Sequence, residues 1–170
     1  MMEESSVAGT TGRAGQGEGA DALILLGCPQ VPVQTSAALY LAHALSRAGI
    51  RPRIAGTPAA RKLVEVADPE RHYAADLADL DGCIGEMAEG RGGYRYCFAF
   101  IHNDSGVAYA ATVAAISQAH IVAVLFGEHA EALAGEIEFP CERIVAPAPH
   151  NPLPLKRRID EVLTWVASNQ

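Results

Sequence analysis

The 170-residue sequence predicts a three-layer α/β/α domain on a mostly parallel, five-stranded sheet. Three observations predict it. Short, continuous apolar runs alternate with longer segments of helical periodicity, the mark of β-α-β units and so of parallel pairing. With 49% hydrophobic and 19% charged residues, the chain has the composition of a soluble globular protein with one sizeable core. The third observation is where proline falls. The strands read at Ala22–Leu26, Tyr96–Ile101 and His120–Phe126 are apolar throughout, as central strands are. The strand at Arg51–Gly56 opens Arg-Pro-Arg and the one at Glu142–Pro147 runs into Ala-Pro-Ala-Pro, so both belong near edges. Numbered along the chain, the five strands fit the order 2-1-3-4-5.

Each element has its local reason. Residues 1–20 are Gly, Ser, Thr and Glu with almost nothing large and apolar, so they are expected to form a flexible tail ahead of a single domain at 21–170. ALILL is a short buried strand. A helix is expected from Ser36 to the stop at Gly49, and another from Pro58, at its first turn, to Asp68. Leu77–Gly90 reads as one helix interrupted by Gly82 and Gly85. Asp104 or Ser105 caps a helix reaching Ala119. EHAEALAGEIE is a short helix. The last helix, NPLPLKRRIDEVLTWVAS, has Leu155, Ile159, Val162, Leu163 and Val166 on one face.

Charge and cysteine usage narrow the function. A formal charge of −7 and a pI near 5.3 argue against nucleic acid and against anionic membrane surfaces as partners. No apolar run approaches the roughly 20 residues of a membrane span, and the amino-terminal residues do not read as a signal peptide. A cytoplasmic location is the expectation. Cys28, Cys83, Cys97 and Cys141 form no CxxC pair and read as reduced thiols.

In the order 2-1-3-4-5 the chain reverses between the first and third strands, and a ligand is expected in the crevice there. The loop GCPQVPVQT leaves the first strand and HNDS leaves the third. Pro29 and Pro32 stiffen the loop, which lowers the cost of ordering it around a ligand. Gln34, Thr35 and Ser36 stand at the start of the first helix, where side chains and free amides suit an anion. Gly27, Cys28 and Pro29 precede them. His102, Asn103 and Asp104 follow the third strand, Glu128 and His129 the fourth, and His150 and Asn151 the fifth. The P-loop, GxGxxG after a strand, and GxSxG motifs are absent. No cofactor is identified.

The stretches GCPQVPVQT, ALYLAHAL, PAARKLVEVADPE, DLDGCIGEMAEG, the Asn-Asp of HNDS, and HNPLPLKRRID resemble an uncharacterised family of small proteins from methanogenic archaea, catalogued as domain of unknown function 1890. The resemblance extends over about residues 22 to 165. The resemblance implies a flavodoxin-like or Rossmann-like fold in the cytoplasm of a strictly anaerobic archaeon, and it carries no assigned activity. Cys28 and Cys83 fall inside the matching stretches; Cys97 and Cys141 do not.

Two readings of function remain, with a plainer rival for every residue in them. The first is a binding module for a small anionic metabolite or cofactor. The second is an enzyme with the Cys28 thiolate as nucleophile and His102 or His150 as base. A metal site at Cys28 and these histidines, and a purely structural subunit, are the lesser alternatives. Cys28 can equally be packing, Asp104 a helix cap, and each histidine a partner of the backbone.

The fourth helix, Asp104–Ala119, is small or apolar nearly all round, which is unusual for a surface helix. A homodimer that covers part of it is expected. Sedimentation at micromolar concentration checks this: a dimer is the expected species, and monomer alone rules it out.

Overall fold

A computed structural model describes residues 20–169; the expected tail at 1–20 lies outside them except for Ala20. Twelve elements alternate: β1 (Ala22–Leu26), α1 (Val33–Arg47), β2 (Pro52–Gly56), α2 (Pro58–Ala67), β3 (Leu77–Asp79), α3 (Leu80–Ala88), β4 (Tyr96–Ile101), α4 (Asp104–Ile116), β5 (His120–Phe126), α5 (Ala130–Glu136), β6 (Glu142–Ala146) and α6 (Leu153–Ser168). The sheet is wholly parallel, in the order β3-β2-β1-β4-β5-β6. The five expected strands keep their order, and a sixth is added outside β2.

That sixth strand corrects the reading of Leu77–Gly90 as one helix. Leu77 and Ala78 pair with Ile54 and Ala55, and the helix starts only at Leu80. The Asp79 carboxylate accepts the Gly82 N–H at 2.9 Å and sets the boundary. β2 therefore lies inside the sheet, and Arg53 links it to the β3 approach by an ion pair with Asp76 at 2.8 Å. Other boundaries also move: α1 starts at Val33, not Ser36; Asn103 caps α4, which ends at Ile116, not Ala119; and α5 spans only Ala130–Glu136.

Strand alternation divides the core in two. Ile24, Phe98, Phe100, Val124 and Phe126 face α1, α2 and α6. Leu23, Cys97, Ile101, Ala123 and Leu125 face α3, α4 and α5. Cys83 and Cys97 are both buried in this second layer. The outward face of α4 carries Ala108, Ala111, Thr112, Ala115 and Ile116, all exposed in the single chain. No helix among the described residues is long and apolar enough to cross a membrane.

At the carboxyl edge α4 packs tightly on the strand it follows. A Cβ added at Gly106 would lie 3.1 Å from Ile101 Cα and 3.3 Å from the Phe100 carbonyl oxygen. Backbone atoms cannot swing aside, so Gly106→Ala pushes the start of α4 off the sheet. It is expected to cost about 1–3 kcal/mol of stability in urea unfolding; an unchanged midpoint overturns this packing argument.

Candidate functional site

β1 and β4 are adjacent, yet α1 leaves toward one face of the sheet and α4 toward the other. The crevice between their starts is the topological switch point. Four connections meet there: 27–32, 102–103, 127–129 and 147–152.

The first connection is tied down mainly by its own helix. Gln34 is 1% exposed, and its Nε2 donates to the Gly27 carbonyl at 3.0 Å. A carbonyl only accepts, so the amide's orientation follows from this bond. Gln34 Oε1 is thereby left as a buried acceptor without a partner. The Val33 N–H donates to the Pro149 carbonyl at 3.1 Å and the Gln34 N–H to Val31 O at 3.2 Å. Two amides at the start of α1 are thus engaged by the chain itself. Thr35 is half-buried; Ser36 is exposed, and its hydroxyl donates to Val33 O at 3.1 Å. Gly27 and Pro29 are half-buried and Cys28 is exposed.

The second connection fixes a histidine tautomer. Asn103 Oδ1 accepts the Gly106 N–H at 3.1 Å, so Nδ2 is its donor end. Nδ2 donates to Gln30 Oε1 at 3.2 Å and faces His102 Nε2 at 3.5 Å. Facing a donor, Nε2 presents its lone pair, and the proton of the neutral ring sits on Nδ1. His102 is 7% exposed, and its ring lies 5.2 Å from that of Phe126. Burial holds its pKa below the ordinary 6.5, and the nearby Cys28 carbonyl offsets part of this. That carbonyl lies outside good hydrogen-bond geometry, so Nδ1 is buried without a partner.

The other two connections complete the rim. Gly127 has φ +85°, and a Cβ there would lie 3.3 Å from Val31, so glycine lets the β1–α1 loop seat against β5. Asp104, Glu128, His129, His150 and Asn151 are exposed. Asn151 Oδ1 accepts the Leu153 N–H at 3.1 Å, a local bond at the start of α6. Beside His102 a pocket of about 280 Å³ is lined by Asn103, Asp104, His129, Ala132, Leu133 and Glu136.

Of the residues expected here, the fold joins Gly27, Gln34, His102 and Asn103, with the Cys28 backbone, into one polar layer under the loop. The Cys28 thiol makes no hydrogen bond to His102 or His150 among the described residues, and no three His, Cys, Asp or Glu side chains there stand close enough to hold a metal. Sequence reasoning passed over Gln30, Val31 and Gly127, whose roles arise from contacts between loops. It also passed over Glu136, which reaches the rim from the far end of α5 and has no local signal.

Residues 23–162 match the family model described as Domain of unknown function (DUF1890). The chain belongs to this family. A relative, Uncharacterized protein MJ0452 of Methanocaldococcus jannaschii, is 34% identical over 148 residues, covering 83% of this chain and 95% of that protein. A solved structure, "Structure of MT0777", superposes with a TM-score of 0.78 at 41% identity, covering 84% of this chain and 96% of its own. The DUF1890 chain described here thus shares its α/β architecture with a solved protein.

The depressed pKa of His102 gives a pH signature. Unfolding returns the ring to about 6.5, so between the two values the unfolded chain binds more protons. Stability then rises with pH across that interval and is full above it. His102→Gln removes this term. The stability lost between about pH 7 and about pH 5 in urea unfolding is expected to be smaller in the variant; an equal loss overturns the assignment.

Proposed function

We propose that this protein binds a small polar metabolite at the switch-point crevice between the β1–α1 and β4–α4 connections. The observation that carries this reading is the pair Gln34 and His102. Both are at least nine-tenths buried, they come from opposite sides of the chain reversal, and each has a polar atom without a partner. A buried polar group left unpaired costs about 1–3 kcal/mol, so two at one crevice favour a ligand that satisfies them. Gln34 Oε1 is an acceptor and His102 Nδ1–H a donor. They suit a ligand presenting both a donor and an acceptor. An anionic group at the start of α1 is less well served, because the Val33 and Gln34 amides are engaged by Pro149 and Val31.

The thiol-enzyme reading rests on Cys28, exposed on the loop whose carbonyl abuts His102. It needs a base within reach of the thiol, and neither histidine bonds to it in this conformation. Binding without chemistry at Cys28 is therefore the reading the geometry supports best.

Native mass spectrometry of the protein from its own cell, with thermal shifts against fractionated small-molecule extract, tests the proposal. A retained or stabilising compound is expected. Its affinity is expected to fall at least about tenfold in His102→Gln, the loss of one buried hydrogen bond, and to persist in Cys28→Ser. An apo mass together with no stabilising fraction overturns the reading. Exposure also makes Cys28 the faster site of iodoacetamide alkylation, against Cys97, which is wholly buried with a raised pKa. Turnover of the bound compound that is abolished by Cys28→Ser would establish the enzyme reading instead.

A further inference from the structure

At the opposite, amino-terminal edge of the sheet lies a second concavity that the proposed site does not use. Trp165, on α6, is 42% exposed. Its indole stacks on His120 at the start of β5, with ring centroids 4.9 Å apart and planes 33° apart. Tyr96, at the start of β4, meets His120 edge-on at 6.3 Å. The ring is thus braced from within the fold while part of it stays open. Beside it is a pocket of about 260 Å³ lined by Trp165, Val162, Glu161 and Glu142.

We infer that this pocket binds a small organic cation, an alkylammonium group, against Trp165. The face of an indole is the strongest aromatic attractor for a cation. Glu142, from β6, and Glu161, one helical turn before Trp165 on α6, both line the same small space. Glu142 forms no ion pair among the described residues; Glu161 is shared with Arg158 at 3.0 Å, in an exposed pair that salt and ligands readily displace. The Val162 side chain gives the apolar wall that alkyl groups prefer and a hydrated metal ion does not. Anions are disfavoured by both carboxylates and by the formal charge of −7 on the chain. The inference does not rest on the switch-point reading, since the two sites lie at opposite ends of the strands.

The chain has one tryptophan, so its emission reports this pocket alone. Tetramethylammonium chloride is the probe, titrated against sodium chloride at equal ionic strength. A saturable change in emission is expected, with half-saturation in roughly the millimolar range. Glu142→Gln and Glu161→Gln are each expected to raise the half-saturation by about threefold, as the loss of one exposed charge contact. Both side chains are exposed, and circular dichroism checks that the variants fold. In the wild-type protein, the indole N–H resonance of Trp165 is expected to shift with tetramethylammonium and not with sodium. An identical response to both salts, or a half-saturation unchanged in the folded double variant, overturns the inference.

Discussion

The constraint on which the rest of this structure depends is the adjacency of β1 and β4. Residues 27–95 separate them, yet they pair along their length from Ala22↔Tyr96 to Leu26↔Phe100. Parallel pairing fixes the direction of every crossover, and the right-handed sense of those crossovers sends α1 and α4 to opposite faces. The carboxyl ends of β1 and β4 are therefore the place in the middle of the sheet where neighbouring helices diverge. Loops gather over that gap because no helix closes it. Tight strand contact below and a gap above are two results of the same pairing.

The gap is bridged by backbone and amide groups in place of packed hydrocarbon. Asn103 caps α4, reaches Gln30 across the crevice and sets the tautomer of His102. A cap is worth about 1 kcal/mol to its helix, so stability alone accounts for an asparagine here. It does not account for an orphan imidazole nitrogen beside the cap, nor for the orphan oxygen of Gln34. A leucine at position 102 would fill a similar space without the unpaired nitrogen. The polar residues that bridge the gap and those left unpaired belong to one layer, and only the first group is explained by folding.

The sheet was legible in the sequence where burial on both faces leaves a nearly continuous apolar run, as in ALILL, YCFAFI and HIVAVLF. It was illegible at β3, where Leu77-Ala78-Asp79 runs straight into α3 and both Leu and Ala also suit a helix; only pairing with β2 makes these residues extended. The start of α1 was misplaced because Pro32 and Val33 look like loop, while Val33 is held by the Pro149 carbonyl from the other end of the chain. For the candidate site, position after a strand is enough to place Cys28, His102 and Asn103 at the carboxyl edge of the sheet. Direction is not: the backbone of Cys28 enters the polar layer and its thiol faces out. Gln30 and Gly127 gain their roles only when two loops meet, which no local pattern records.

Rigidity of the opening loop decides between holding a ligand and attacking one. Pro29 and Pro32 fix two φ angles, Val31 is wedged against Gly127, and Val33 is bonded to the loop before α6. A loop held at that many points loses little freedom when a ligand arrives, which favours affinity. The same restraints oppose the movement that would carry the Cys28 thiol inward to His102. The imidazole is constrained too, since Nε2 faces the Asn103 amide and the ring is buried beside the Cys28 carbonyl. A general base needs a free lone pair within about 3 Å of the proton it takes. The one lone pair His102 offers is directed at Asn103. This geometry supports the proposed binding reading over activation of the Cys28 thiol by His102.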